Sequence, residues 1–308
     1  MSLQQPKLTI LQRIALESLW ALCRGFALLP HCIRHGVFGN LTHFVLCYVL
    51  RYRRKVMMDN LRRSFPEKSE EELCKISVAA YRNLAEQIIN TISLSGMSDK
   101  IRQERMDIIN AEETRKDAAG RSVIILTGHY GCWEGGGVIG LALPEQSFVA
   151  VYHQLKSVVF DELMKRIRIS TNVDVVEMKR IMRHFLDNRN KRPMTIGLAS
   201  DQNPTVRANM PWYKFLHQWT AFFDGGDTLA MKYKLPVYYF TMRRVKAGHY
   251  KAEFIRLYDG EEAVEPYTIT ERYVRVLEKD IQEYPELWIW THRRWKHTPP
   301  AELQAQKI

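Results

Sequence analysis

Val123-Ile124-Ile125-Leu126-Thr127-Gly128-His129-Tyr130-Gly131-Cys132-Trp133-Glu134-Gly135-Gly136-Gly137 is the stretch that decides the fold. Its first five residues form a short β-branched run, the signature of a buried strand. Similar runs follow at Phe148–Tyr152, Val173–Val176, Pro193–Ala199, Pro236–Met242 and Tyr250–Leu257. Helical patterns separate several of them, around Phe160–Ile169 and over residues 178–190, 224–234 and 268–284. Strands alternating with helices of this length predict an α/β layered domain. Its expected extent is residues 116–308.

The same stretch carries the candidate chemistry. Catalytic residues in open α/β sheets sit just past the carboxyl ends of strands. Here a strand end delivers His129 and Glu134, five residues apart and set among five glycines. On one continuous helix, positions i and i+5 lie about 140° apart and their side chains do not meet. The two meet if His129 sits in a loop and Glu134 in the first turn of a following helix. Gly128 and Gly131 permit such a loop. Glu134 would then accept one imidazole N–H and leave the other nitrogen free to take a proton from an alcohol. This is the logic of a Ser-His-Asp triad with the substrate hydroxyl as nucleophile. A His beside a helix-capping Glu is the plainer alternative. Cys132 is a rival nucleophile, although a Cys three residues from its base lacks an orienting geometry. A zinc site on His129, Glu134 and Asp201 has no supporting spacing such as His-Glu-x-x-His. No G-x-S-x-G elbow and no phosphate-binding P-loop occurs, and no metal or cofactor is expected.

Upstream, residues 69–95 read as a helix. Ser69 precedes Glu70-Glu71-Glu72, and Leu73, Ile76, Ala80, Leu84 and Ile88 recur at helical spacing. Residues 51–115 are therefore expected to be a helical region packed on the core. Residues 1–50 are apolar but broken by Arg13, Glu17, Arg24, Pro30 and Arg34, so no conventional spanning helix is expected. The apolar stretch ends in Arg51-Tyr52-Arg53-Arg54-Lys55. That order predicts helices lying in or dipping into the cytoplasmic face of a membrane. The 308 residues carry 45 Lys and Arg against 34 Asp and Glu, a formal charge of +11 that favours anionic partners. Five cysteines without a C-x-x-C pair argue against a disulfide framework and fit a reducing compartment.

Several motifs in order resemble one known family, the late acyltransferases of lipid A biosynthesis (lauroyl/myristoyl transferases). Arg53-Arg54-Lys55-Val56, Asn60-Leu61 and Ser64-Phe65-Pro66-Glu67 resemble its N-terminal signature. Thr127-Gly128-His129 through Glu134 resembles its His-x4-Asp/Glu catalytic motif. Arg166-Ile167-Arg168 resembles its arginine pair, and Asp201-Gln202-Asn203 its Asp-Gln-Asp/Asn loop. Leu287 through Lys296 resembles its Trp-x-His-Arg-Arg-Phe-Lys ending. His153 after Tyr152 and the run Trp219–Gly226 depart from the family's commonest forms.

The resemblance implies a glycerolphosphate-acyltransferase-like mixed sheet flanked by helices, with an N-terminal membrane segment. It implies acyl carrier protein as thioester donor and a hydroxyl of a phosphorylated glucosamine lipid as acceptor, at the cytoplasmic face of the inner membrane. His129 would be the base and Glu134 its orienting carboxylate. Arg166 and Arg168 would serve the oxyanion or substrate, and Asp201 and Gln202 would position the site. Alternatives are another lipid acceptor (mannosylated phosphatidylinositol or an aminoacyl lipid), thioester hydrolysis, and nucleic-acid binding. No RNA- or DNA-reading motif supports the last.

Overall fold

The computed structural model describes residues 8–207 and 210–304. Residues 1–7 of the expected N-terminal segment, and 208–209 and 305–308 of the expected core, lie outside the described residues. Nine strands are described: β1 (Met106–Ile108), β2 (Val123–Thr127), β3 (Ser147–Tyr152), β4 (Asp174–Glu177), β5 (Met194–Ala199), β6 (Trp212–Phe215), β7 (Gln218–Ala221), β8 (Val237–Lys246) and β9 (His249–Tyr258). Seven form one sheet in the order β1-β9-β8-β2-β5-β3-β4, and β6 and β7 form a separate hairpin. Every neighbouring pair in the large sheet is parallel except β8 with β9. The expected mixed α/β sheet is therefore present.

The apolar run Val123–Leu126 is buried throughout because β2 lies mid-sheet, between β8 and β5. Helices cover the sheet. Thr268–Glu283 packs against β8 and β9, and Gly225–Tyr233 against β2. Thr268–Glu283 buries Ile269, Tyr273, Val274, Leu277 and Ile281, a stripe at three- and four-residue spacing. The long helix Glu70–Leu94 starts where its sequence dictates: the Ser69 side chain accepts from the Glu72 N–H while Glu72 accepts from the Ser69 N–H.

Two strand regions escaped the sequence reading. β1 is only three residues long, inside a strongly charged stretch, and joins the sheet edge on β9. The β6–β7 hairpin turns on Leu216 and His217, both with positive φ (46° and 63°). Asn-Gly is the usual signal for such a turn, so its chemistry here is silent.

At the N-terminus, helix Ile10–Ala27 is capped by Thr9 and Gln12. It docks through Leu16 and Cys23 onto Leu94, Leu163 and Ile167. Its other face leaves Ile10, Leu11, Ile14 and Leu22 exposed. After Pro30 the chain winds through helical segments Cys32–Gly39, Asn40–Phe44 and Val45–Val49, the first and last with wide π-type turns. Val37, Phe38, Leu41, Phe44, Val49 and Leu50 are exposed there. Among the described residues no helix is long and apolar enough to cross a membrane.

Candidate active site

Strand register builds the site. β2 and β5 are parallel neighbours, with Thr127 opposite Ala199. His129 and Asp201 each follow their strand end by two residues, so the two loops leave the sheet side by side. The Asp201 carboxylate grips His129 twice: Oδ1 lies 2.7 Å from Nδ1, and Oδ2 accepts the His129 backbone N–H at 2.8 Å. The Trp288 indole N–H donates to the same Oδ2 at 2.8 Å. A Cβ at Gly128 would stand 3.1 Å from Leu277 Cδ1 and 3.4 Å from the Asp201 carboxyl, so the close approach of the two loops uses that glycine.

The carboxylate on the imidazole is thus that of Asp201, 72 residues away, and not that of Glu134. Glu134 does lie in the first turn of a helix, the short 3-10 segment Trp133–Val138. Its carboxylate turns instead to Arg168 on helix Val158–Ile169, which donates from Nε at 2.9 Å and Nη2 at 2.6 Å. Arg168 lines the same cavity as His129. Arg166 does not. It donates to Glu17 at 2.8 Å and sits over the Trp20 ring at 5.1 Å, tying the N-terminal helix to Val158–Ile169. Gln202 lines the cavity, with Asn203 beside it. Cys132 is buried off the cavity. Its N–H meets the Met242 sulfur at 2.9 Å, and burial pushes its thiol pKa up to about 12.

Electrostatics match a base. A carboxylate can only accept, so Nδ1 carries the proton and Nε2 the lone pair. Burial pulls the imidazole pKa down, but the Asp201 carboxylate outweighs it and holds His129 above its ordinary value. Burial also opposes ionisation of Asp201, yet the imidazole charge and the N–H donors bring its pKa down to about 2. Asp201 is 1% exposed and His129 22%, so the pair is anchored on one side and open on the other.

The open side is a cavity of about 520 Å³. Ile125, Ile139, Phe148, Val173, Phe223 and Phe240 make its walls apolar, and His129, Glu134, Arg168 and Gln202 are polar groups along it. Gly197 in β5 makes room for the Phe148 ring in the wall: a Cβ there would fall 2.9 Å from it. Concave, largely apolar sites of 300–1,000 Å³ with a few polar groups are what small ligands occupy.

The sequence model of the family described as "Bacterial lipid A biosynthesis acyltransferase" matches residues 3–297. The chain belongs to this family. It is an acyltransferase of lipid A biosynthesis. Two curated relatives agree with the assignment: a lipid A biosynthesis palmitoleoyltransferase of Escherichia coli (strain K12) and a lipid A biosynthesis acyltransferase of Shigella flexneri. Each is 23% identical over 283 residues, covering 85% of this chain and 89% of the relative.

Trp288, which contacts the Asp201 carboxylate in this acyltransferase, carries the weakest signal in the sequence. The aromatic and basic segment Trp288–Trp295 reads as core with a basic rim. In the fold it closes over the Asp201 loop, with the Arg294 guanidinium buried 4.5 Å over the Phe222 ring and donating to the Ala221 carbonyl at 2.6 Å. Asn203 joins the same layer: its amide donates to the Arg293 carbonyl at 2.6 Å, and its Oδ1 accepts from Arg294 at 3.2 Å.

Proposed function

We propose that this acyltransferase moves a fatty acyl chain from an acyl-carrier-protein thioester to a hydroxyl of a lipid A precursor. The observation that carries the reading is His129, its Nδ1 held by buried Asp201 while its ring opens on an apolar cavity. His129 Nε2 takes the proton from the acceptor hydroxyl as the oxygen attacks the thioester carbonyl. The tetrahedral oxyanion collapses, the C–S bond breaks, and the departing thiolate receives the proton from the imidazolium. Asp201 fixes the tautomer and stabilises that imidazolium. Arg168, held by Glu134 at the cavity wall, is the cation assigned to the oxyanion or the thioester, and Gln202 contributes polar positioning. The apolar walls receive the acyl chain.

The exposed apolar side chains of the N-terminal helices, followed by Arg51–Lys55, support seating at the cytoplasmic face of the inner membrane. The net positive charge suits both an acidic carrier protein and a phosphorylated lipid. The test is mass spectrometry of a lipid A precursor incubated with acyl carrier protein thioester and the full-length protein. A gain of one acyl chain is expected. Thioester consumption with no acylated lipid would overturn the reading in favour of hydrolysis.

A further inference from the structure

A second cluster of charge lies where the N-terminal helical stretch meets the β8–β9 turn. The His31 and His35 rings stack with centroids 4.3 Å apart, and the His249 ring is 5.5 Å from His31. His31 Nε2 sits 3.1 Å from the Ala247 carbonyl. Arg34 and Arg105 both bear electrostatically on His31 and His35. Arg34 is only 6% exposed, yet its Nε and Nη1 have no hydrogen-bond partner. Buried His35 Nε2 and Arg105 Nη1 lack one too. The buried carboxylate nearby, Glu86, is already engaged by Arg244, by the Gly248 N–H and by the Tyr250 hydroxyl. Glu104 and Lys246 border His249 and are exposed. None of these residues lines the catalytic cavity.

A buried guanidinium without an acceptor is costly to a fold. Here two guanidiniums converge with three imidazoles, and the buried carboxylate among them is taken. The imidazoles do not make a metal set: among the described residues no three His, Cys, Asp or Glu side chains are placed to hold a cation. Two adjacent arginines would also repel one. A compact oxyanion is the group that satisfies the two guanidiniums and the unpartnered His35 Nε2 together, and phosphate matches the guanidinium fork best.

We infer that Arg34, His35 and Arg105, with His31 and His249 at the half-exposed rim, form a phosphate-binding site separate from the catalytic cavity. The same helical stretch exposes Val37, Phe38, Leu41 and Phe44. A phosphate in the headgroup of an anionic phospholipid would therefore reach the site while those side chains enter the apolar layer. Free phosphate offers the same chemistry, and the test separates the two sources. The inference does not rest on the role of His129.

The full-length protein is used with two probes. In the first arm, inorganic phosphate is titrated at constant ionic strength against chloride. It should raise Tm saturably, as a ligand of the folded state does. Arg34→Gln and Arg105→Gln should each weaken the apparent affinity by about tenfold or more, because each removes charge-assisted hydrogen bonds. Arg183→Gln, an exposed charge on a distant helix, should leave it unchanged. In the second arm, flotation compares vesicles of phosphatidylcholine with vesicles that also contain phosphatidylglycerol. Loss of the phosphatidylglycerol-dependent increment in both variants identifies a lipid phosphate as the ligand. An intact increment with a lost phosphate response identifies free phosphate. Arg34 is buried and its replacement can unsettle the fold, so the readout is the phosphate increment and not absolute Tm. Half-buried Arg105 supplies the second variant. A parent protein that responds in neither arm, or variants that match the parent in both, would overturn the inference.

Discussion

Two carboxylates support the cavity from different places in the chain, Asp201 from behind His129 and Glu134 from the wall, and they are held differently. Asp201 is all but inaccessible and accepts three hydrogen bonds, two from His129 and one from Trp288. Glu134 is 13% exposed, and its hydrogen-bonding partner is the Arg168 guanidinium. Asp201 sits behind the His129 ring and fixes it. Glu134 sits in the wall and fixes a cation. The difference teaches that adjacency in sequence is a weak guide to pairing in a parallel sheet. Neighbouring strands are distant in the chain, so the partner of a strand-end residue comes from the next strand's loop.

The largest effects should fall on the Asp201 side. His129→Ala should lower kcat by on the order of 10²–10⁴-fold, the contribution of a positioned general base. Asp201→Ala should be comparably severe, because it frees the ring and leaves the forming imidazolium without its counter-charge. The double variant should be little worse than the worse single one, since residues that act as a unit are strongly non-additive. Steady-state kinetics with circular dichroism to confirm folding checks all three. Multiplicative losses would break the pairing.

The pH profile sharpens the contrast between the carboxylates. A general base must be neutral to accept a proton, and the Asp201 carboxylate raises the His129 pKa. Activity should therefore be lost as pH falls through a value above the ordinary histidine pKa of about 6.5. Asp201→Asn removes the charge that outweighs burial. Burial should then dominate, and the acid limb of kcat/KM should move to lower pH even as the plateau falls. Glu134→Gln should move the limb in the same direction but by less, because the Glu134 charge also raises the His129 pKa and ranks below that of Asp201. A limb that moves further with Glu134→Gln than with Asp201→Asn would exchange the two roles.

In rate, Glu134→Gln should cost less than either Asp201 variant. It removes hydrogen bonds between charged groups worth about 1.5–3 kcal/mol, a loss of roughly 10–100-fold in kcat/KM if Arg168 then leaves its place. Arg168→Lys should show a similar loss, since a lysine cannot reproduce the two-point contact. Arg166→Gln should leave kcat nearly unchanged, as its guanidinium faces Glu17 and Trp20 instead of the cavity.

Much of this arrangement was legible in the chain. The run Val123–Thr127 announces a buried strand because every position is apolar or β-branched, and β2 occupies those residues. Ser69 with Glu72 announces the start of its helix because the capping box is local chemistry. His129 and Asp201 could each be picked out from strand-end position and loop composition. Their contact could not, because it depends on β5 lying next to β2, and strand order is fixed by packing. Trp288 was hidden for the same reason, its indole N–H reaching a loop 87 residues earlier. The β6–β7 hairpin stayed hidden because Leu216-His217 is an unusual pair for two positive-φ positions.

The smallest effect should be that of Cys132. It stands three residues from the base, near enough in sequence to suggest a covalent acyl-enzyme, so the comparison of sequence neighbour with spatial partner applies to it as well. Its thiol is buried off the cavity, and burial pushes its pKa up to about 12, so almost none is thiolate at neutral pH. Cys132→Ala removes one sulfur from a packed corner against Met242 and Gly135. The expected cost is in stability, about 1 kcal/mol or less, read as a small fall in Tm. The expected change in kcat is under about threefold, because no bond to the substrate is made or broken there. Intact-protein mass spectrometry of the parent after incubation with thioester donor should show no added acyl mass. An acyl adduct mapped to Cys132, together with a Cys132→Ala variant that has lost turnover while keeping its fold, would replace direct transfer by a two-step route. His129 would then serve the thiol first and the acceptor hydroxyl second.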